Sequence, residues 1–215
     1  MKTVFALFSL ILFLEDNPDP LRFKDEIDTY IQADKSNPPP DGCYLFIGSS
    51  SMRMWKSLQE DFTGYPVINR GFGGSHFSDA IYYFDDLVNA YNPSKIIIYE
   101  GDNDLASSKS PNKIVKNLKT LLGMIRDNLD QPEIAIISAK PSPRRWELKD
   151  KYEKLNSKFK DLASKSQDLT YIDIYTFMLN GKGRPEPELF LEDSLHMTQK
   201  GYKIWEEQIR AFVDK

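Results

Sequence analysis

From position 43 onward, apolar residues alternate between two patterns. Short runs rich in β-branched residues occur at CYLFIG (43–48), PVINRG (66–71), KIIIYEG (95–101), EIAIISA (133–139) and LTYIDIY (169–175). Four of the five lack polar alternation, which suits strands covered on both faces, as in a parallel sheet. Between the runs, apolar positions recur three and four apart. One such series runs from Phe77 to Tyr91, a second from Ile114 to Leu129, a third from Leu148 to Leu162, and a last from Tyr202 to Phe212. This is the spacing of amphipathic helices. Five alternations of strand and helix predict a three-layer α/β/α sandwich around a five-stranded parallel sheet of flavodoxin-like size, residues 43–215.

The first 42 residues follow other rules. Lys2 precedes an almost unbroken apolar run from Val4 to Leu14, too short for a membrane span and suited to the core of an export signal. The expectation for residues 1–14 is therefore an export signal and a periplasmic or extracellular protein. The alternative is a buried N-terminal helix in a cytoplasmic protein, because LFLEDNP has no small-x-small cleavage site. Residues 15–42 read as an arm: Leu21, Phe23, Ile27, Tyr30 and Ile31 share one helical face, and SNPPPDG stops the helix.

Composition narrows the function. A net charge of −4 gives no basic field for nucleic acid. The single cysteine, Cys43, rules out an intramolecular disulfide and a cysteine cluster for zinc. Its place at the head of an apolar run suits a buried, inert thiol.

In open α/β sheets, sites form beyond the carboxyl ends of the strands. There the chain places GSSS (48–51), NRGFGGSH (69–76), EGDNDL (100–105) and, after a longer loop, EDSLHMTQKGY (192–202). Asp193 stands three residues before His196, a spacing that lets a carboxylate fix the imidazole tautomer and leave the other nitrogen free as a base. A hydroxyl at the strand-to-turn junction is exposed to such a base. One of Ser49, Ser50 and Ser51 is also expected to cap a following helix through Trp55, and position alone does not pick the nucleophile. GFGGSH fails the dinucleotide pattern, because His76 replaces the last glycine. Its glycines suit a turn, and one beside a reacting carbonyl would leave its backbone N–H open to approach. Asn103, between Asp102 and Asp104, has two N–H donors suited to a developing oxyanion, although a lone Asn-Asp pair is more often a turn.

These four blocks, in this order, resemble the SGNH hydrolase superfamily of GDSL-type esterases and lipases. The resemblance covers residues 43–212 and implies the SGNH hydrolase fold. The family's nucleophile stands two residues after the glycine and five before the tryptophan, so Gly48 and Trp55 select Ser50. The resemblance further implies Asp193 and His196 as the remaining triad members, and the backbone N–H of Ser50, that of Gly74 and the amide of Asn103 as oxyanion donors. The family's usual aspartate before the nucleophile is Ser49 here. That change implies altered local hydrogen bonding with activity kept, and the repeated serine resembles a GSSS-type branch.

The implied reaction is carboxylic ester hydrolysis through an acyl-enzyme on Ser50, with no metal or organic cofactor. The substrate would be a small-molecule or carbohydrate ester: short-acyl, carbohydrate-acetyl or lysophospholipid. Phe72, His76, Phe77, Arg144, Arg145 and Trp146 are candidates for its rim, and each also suits packing or surface roles. Two rivals remain. One is a non-catalytic module holding phosphate or nucleotide at the helix after GSSS. The other is a metal-dependent phosphoesterase using Asp102, Asp104 and His196, a thin ligand set in a chain with two histidines.

Overall fold

The computed structural model describes residues 17–215. The apolar run at 1–14, and with it the expected export signal, lies outside the described residues. The five apolar runs form strands β1 (Tyr44–Gly48), β2 (Val67–Gly71), β3 (Lys95–Tyr99), β4 (Glu133–Ile137) and β5 (Leu169–Ile172). They make one fully parallel sheet in the order β2-β1-β3-β4-β5. Every residue of the central strand β3 is buried, as an unalternating run requires. The edge strand β5 keeps partly exposed Thr170 and Tyr171, in line with its mixed pattern.

Among the described residues, eight α-helices accompany the sheet: α1 (Lys24–Ser36), α2 (Ser50–Arg53), α3 (Leu58–Asp61), α4 (Phe77–Tyr82), α5 (Asp102–Ala106), α6 (Pro111–Asn128), α7 (Lys149–Ala163) and α8 (Gln199–Val213). Strand side chains alternate between two cores. Leu45, Ile47, Ile96, Ile98, Ile134 and Ile136 join α1, α4, α6 and α7 on one face. Phe46, Ile97, Tyr99, Ala135 and Ile137 join α2, α3 and α8 on the other, around Trp55 and Trp205. The result is the expected three-layer α/β/α sandwich.

Two elements differ from expectation. The helix expected to run from Phe77 to Tyr91 stops at Tyr82 and resumes as a π-helical turn, Asp85–Asn89. There Ala90 N–H donates to the Asp85 carbonyl at 3.0 Å, five residues back. The extra residue keeps Phe84, Leu87, Val88 and Tyr91 in the core. The segment before the sheet is also bound closely to it. Phe23 and Ile27 lie in the first core, the Tyr30 hydroxyl donates to the Gly71 carbonyl at 2.5 Å, and Arg22 pairs with buried Asp79 at 2.6 Å. Cys43 is buried, and burial pushes its thiol up to about 11.

The order β2-β1-β3 puts the topological switch beside β1, where open α/β sheets form their sites. GSSS leaves β1 there, flanked by the glycine block after β2 and Asp102–Asp104 after β3.

Candidate active site

At the end of β1, Ser49 N–H donates to the Tyr99 carbonyl at 3.1 Å, and the chain turns into the single turn α2. Ser49 stands at its N-cap, but its side chain makes no capping bond. The expected serine cap is therefore absent, and the helix ends at Arg53, short of Trp55. A Cβ on Gly71 would lie 2.4 Å from the Arg53 backbone nitrogen, so the glycine lets β2 approach α2 closely. Ser49 and Ser51 are each 2% exposed, whereas Ser50 is half-buried. The Ser50 hydroxyl lies 3.0 Å from His196 Nε2.

His196 arrives on a tight turn. An antiparallel bridge between Phe190 and Met197 closes its base, and Leu191 N–H donates to the His196 carbonyl at 2.8 Å. Ser194 turns with φ +58°, a conformation few non-glycine residues adopt. Within the turn, Asp193 Oδ1 accepts the backbone N–H groups of Leu195 and His196, each at 2.9 Å. Asp193 Oδ2 lies 2.5 Å from His196 Nδ1. Burial alone would raise the Asp193 carboxyl. The hydrogen bond from the His196 ring, then those from the two backbone amides, outweigh it and lower the carboxyl to about 2. With Nδ1–H donated to Asp193, Nε2 is left as an acceptor toward Ser50.

Gly74 has φ +79°, and nothing lies within 4 Å of where its Cβ would stand, so its backbone is open on that side. Asn103, in the first turn of α5, donates from Nδ2 to the Ser75 carbonyl at 3.0 Å. The two loops that carry the expected oxyanion donors are thus hydrogen-bonded to each other.

The sequence pattern of GDSL-like lipases/acylhydrolases matches residues 45–204, most of the chain. The chain belongs to that family. Among solved structures, it resembles a protein from Streptococcus pneumonia named after platelet activating factor, with a TM-score of 0.79 and 22% identity over 90% of this chain and 94% of that one. A GDSL-like lipase from Bacteroides thetaiotaomicron gives 0.74 and 21%, over 87% and 97%. An acetyl-xylooligosaccharide esterase from Geobacillus Stearmophilus gives 0.66 and 13%, over 82% and 96%. At these identities the likeness speaks to the fold alone. No curated protein matches the chain.

The six rim candidates of this GDSL-like protein fall in different places. Phe72 and Phe77 are wholly buried and do not line a rim. Phe72 packs edge-on against Phe23 and Tyr83, and Phe77 against Phe159. Both continue the apolar face that covers the sheet. His76 is 3% exposed, 3.1 Å from Lys109 Nζ and 3.3 Å from the Ser107 hydroxyl. Burial, then Lys109, lowers its pKa to about 4 and keeps it neutral at neutral pH. Arg145 turns inward toward Asp102 and Asn103. Arg144 remains exposed, its backbone N–H donating to the Ser194 carbonyl at 3.0 Å. Trp146 is half-buried, with the Arg184 guanidinium 5.4 Å from its ring centre.

The sequence reading missed an ionic layer beneath the site. Buried Asp102 accepts from Arg145 at 2.6 Å and from the Tyr152 hydroxyl, and lies 3.5 Å from Lys140 Nζ. Burial would raise its carboxyl, but Lys140, then Arg145 and Tyr152, hold it below the usual range. Lys140, fully buried at the end of the β4 run, also donates to the Leu195 carbonyl at 2.8 Å. Asp104 pairs with Lys109 at 3.0 Å and accepts the Phe77 N–H. The two aspartates offered as metal ligands are thus engaged by protein cations. Among the described residues, no group of three or more His, Cys, Asp or Glu could hold a metal ion. A spaced Lys or Arg looks like surface, so the sequence singled out Asp102, Asp104 and Arg145 for other roles and gave no signal that they pair with one another or with Lys109 and Lys140.

Proposed function

We propose that this family member is a serine esterase that hydrolyses carboxylic esters through an acyl-enzyme on Ser50. The observation that carries the reading is the chain of contacts from Ser50 Oγ to His196 Nε2 at 3.0 Å and from His196 Nδ1 to Asp193 at 2.5 Å. As Ser50 attacks the ester carbonyl, His196 takes the hydroxyl proton, and ionised Asp193 stabilises the imidazolium. The backbone N–H groups of Ser50 and Gly74 and the amide of Asn103 receive the oxyanion. His196 then protonates the departing alkoxide. In the second half, water loses a proton to His196 and attacks the acyl carbon, and His196 returns that proton to the Ser50 oxygen as the acid leaves.

Short acyl groups, including acetyl groups on carbohydrate, are the favoured substrates, with lysophospholipid as the second class. The sequence has no long apolar lid segment, and one structural relative is named as an acetyl-xylooligosaccharide esterase. A phosphate-binding module at α2 has less support, because that helix is one turn long and its lead serine makes no cap. The test is turnover of p-nitrophenyl esters of graded chain length, beside acetylated xylan and a lysophospholipid. The reading expects activity that falls with acyl length. No turnover of any ester by folded protein would overturn it.

A further inference from the structure

An asparagine amide has one acceptor oxygen and two N–H donors on opposite sides, so its usefulness to an oxyanion depends on which way it faces. Three contacts decide this for Asn103. Two separate nitrogens of Arg145 each donate to Asn103 Oδ1 at 3.1 Å. On the other side, Asn103 Nδ2 donates to the Ser75 carbonyl at 3.0 Å. Arginine has no acceptor, so the atom facing it must be the oxygen, and a carbonyl facing Nδ2 requires the same orientation. The contacts use the oxygen and one N–H and leave the second N–H for a reacting carbonyl.

Arg145 is itself fixed. Its guanidinium donates to Asp102 at 2.6 Å, and the pair is largely buried, at 18% and 6% side-chain exposure. Tyr152, Lys140 and the Tyr99 hydroxyl at 3.4 Å also face the carboxylate. A planar guanidinium can hold a carboxylate and an amide oxygen together, which an ammonium group cannot do with the same geometry. Asp102 and Asn103 are adjacent in α5, so one arginine locks both to the 3-10 helix Pro143–Leu148 that precedes α7.

We infer that Arg145 is a positioning residue for the oxyanion site: anchored on Asp102, it fixes the Asn103 amide so that the N–H not taken by Ser75 is held for the reaction. This rests on the proposed role of Asn103 as an oxyanion donor. By drawing on Oδ1, the guanidinium also polarises the amide and strengthens its remaining N–H as a donor. The contribution appears as charge develops on the substrate oxygen, so it belongs to kcat and not to KM.

The test is a double-mutant cycle with p-nitrophenyl acetate, with melting temperatures on the same preparations. Asn103→Ala should lower kcat roughly a hundred- to a thousandfold. Arg145→Gln should lower kcat roughly ten- to a hundredfold, as expected for a misplaced catalytic group, with KM nearly unchanged. In the Asn103→Ala background, Arg145→Gln should cost no more than about twofold, because the group it positions is gone. Arg145→Lys keeps a cation beside Asp102, guards against failure to fold, and should share the kcat loss at near-normal melting temperature. Equal losses from Arg145→Gln in both backgrounds, or full kcat in Arg145→Lys, would overturn the proposal and leave the role of Asn103 standing. Unchanged kcat in folded Asn103→Ala would remove the oxyanion role itself, and this proposal with it.

Discussion

Ser49, Ser50 and Ser51 place the same side chain in three settings. Ser49 closes the strand ladder through its backbone, Ser51 is buried with its carbonyl accepting the Tyr202 hydroxyl, and Ser50 alone of the three contacts His196. Spacing from Gly48 and Trp55 picked the same serine through family resemblance, while chemistry alone had left three candidates. Asp193 is a second such case. An Asp and a His three apart in a loop are usually just surface residues, and the Asp193 side chain is 42% exposed. Its hydrogen bonds and its position behind His196 give it a different meaning. Asp193→Asn should lower kcat by roughly three to four orders of magnitude, as loss of the orienting carboxylate does in other serine hydrolases. Melting temperature should change little. Retained kcat would return the pair to the surface. Arg145 was legible only as a candidate for the substrate rim, and it turns inward to Asp102, because sequence does not say whether such a side chain turns toward solvent or toward a buried carboxylate.

Among the elements, the strands were the most legible, since burial on both faces leaves a continuous apolar run. Helix ends were less so. The four-residue α2 and the π-turn after α4 depend on how neighbouring backbones pack, which local spacing does not encode. The arm holds α1, and its tie to the site was not foreseen. Glu26 of α1 accepts Gly73 N–H at 3.3 Å and lies 3.5 Å from Arg53, so α1 holds the glycine block from outside. Ile27, one residue on, is 1% exposed in the first core. Ile27→Ala should cost about 2 to 5 kcal/mol, the usual range for emptying a buried isoleucine site. Urea unfolding measures this directly. An unchanged midpoint would mean that α1 is not packed as described.

Titratable groups lie buried in the interior, which ties stability to pH. Glu100 is fully buried at the end of the β3 run; Ser75 donates to one oxygen at 2.5 Å, and the other has no partner among the described residues. Burial, with Asp104 adding repulsion, raises its carboxyl well above the ordinary value. The folded protein therefore holds this proton after the unfolded chain has lost it, and stability falls as pH rises above about 4.5. Glu100→Gln removes that dependence. Between pH 5 and pH 8 the native protein should lose more melting temperature than the variant, and equal losses would show Glu100 ionised. The fold and the blocks that meet around Ser50 were legible because strand ends carry chemistry in this architecture; the pairs that Asp102 makes were not, because they join distant segments. Mass spectrometry of fluorophosphonate-treated protein tests whether Ser50 carries the acyl group. The expected result is one adduct, on the peptide containing Ser50, kept in Ser49→Ala and Ser51→Ala and lost together with ester turnover in Ser50→Ala. An adduct on Ser51, or turnover that survives in Ser50→Ala, would contradict it.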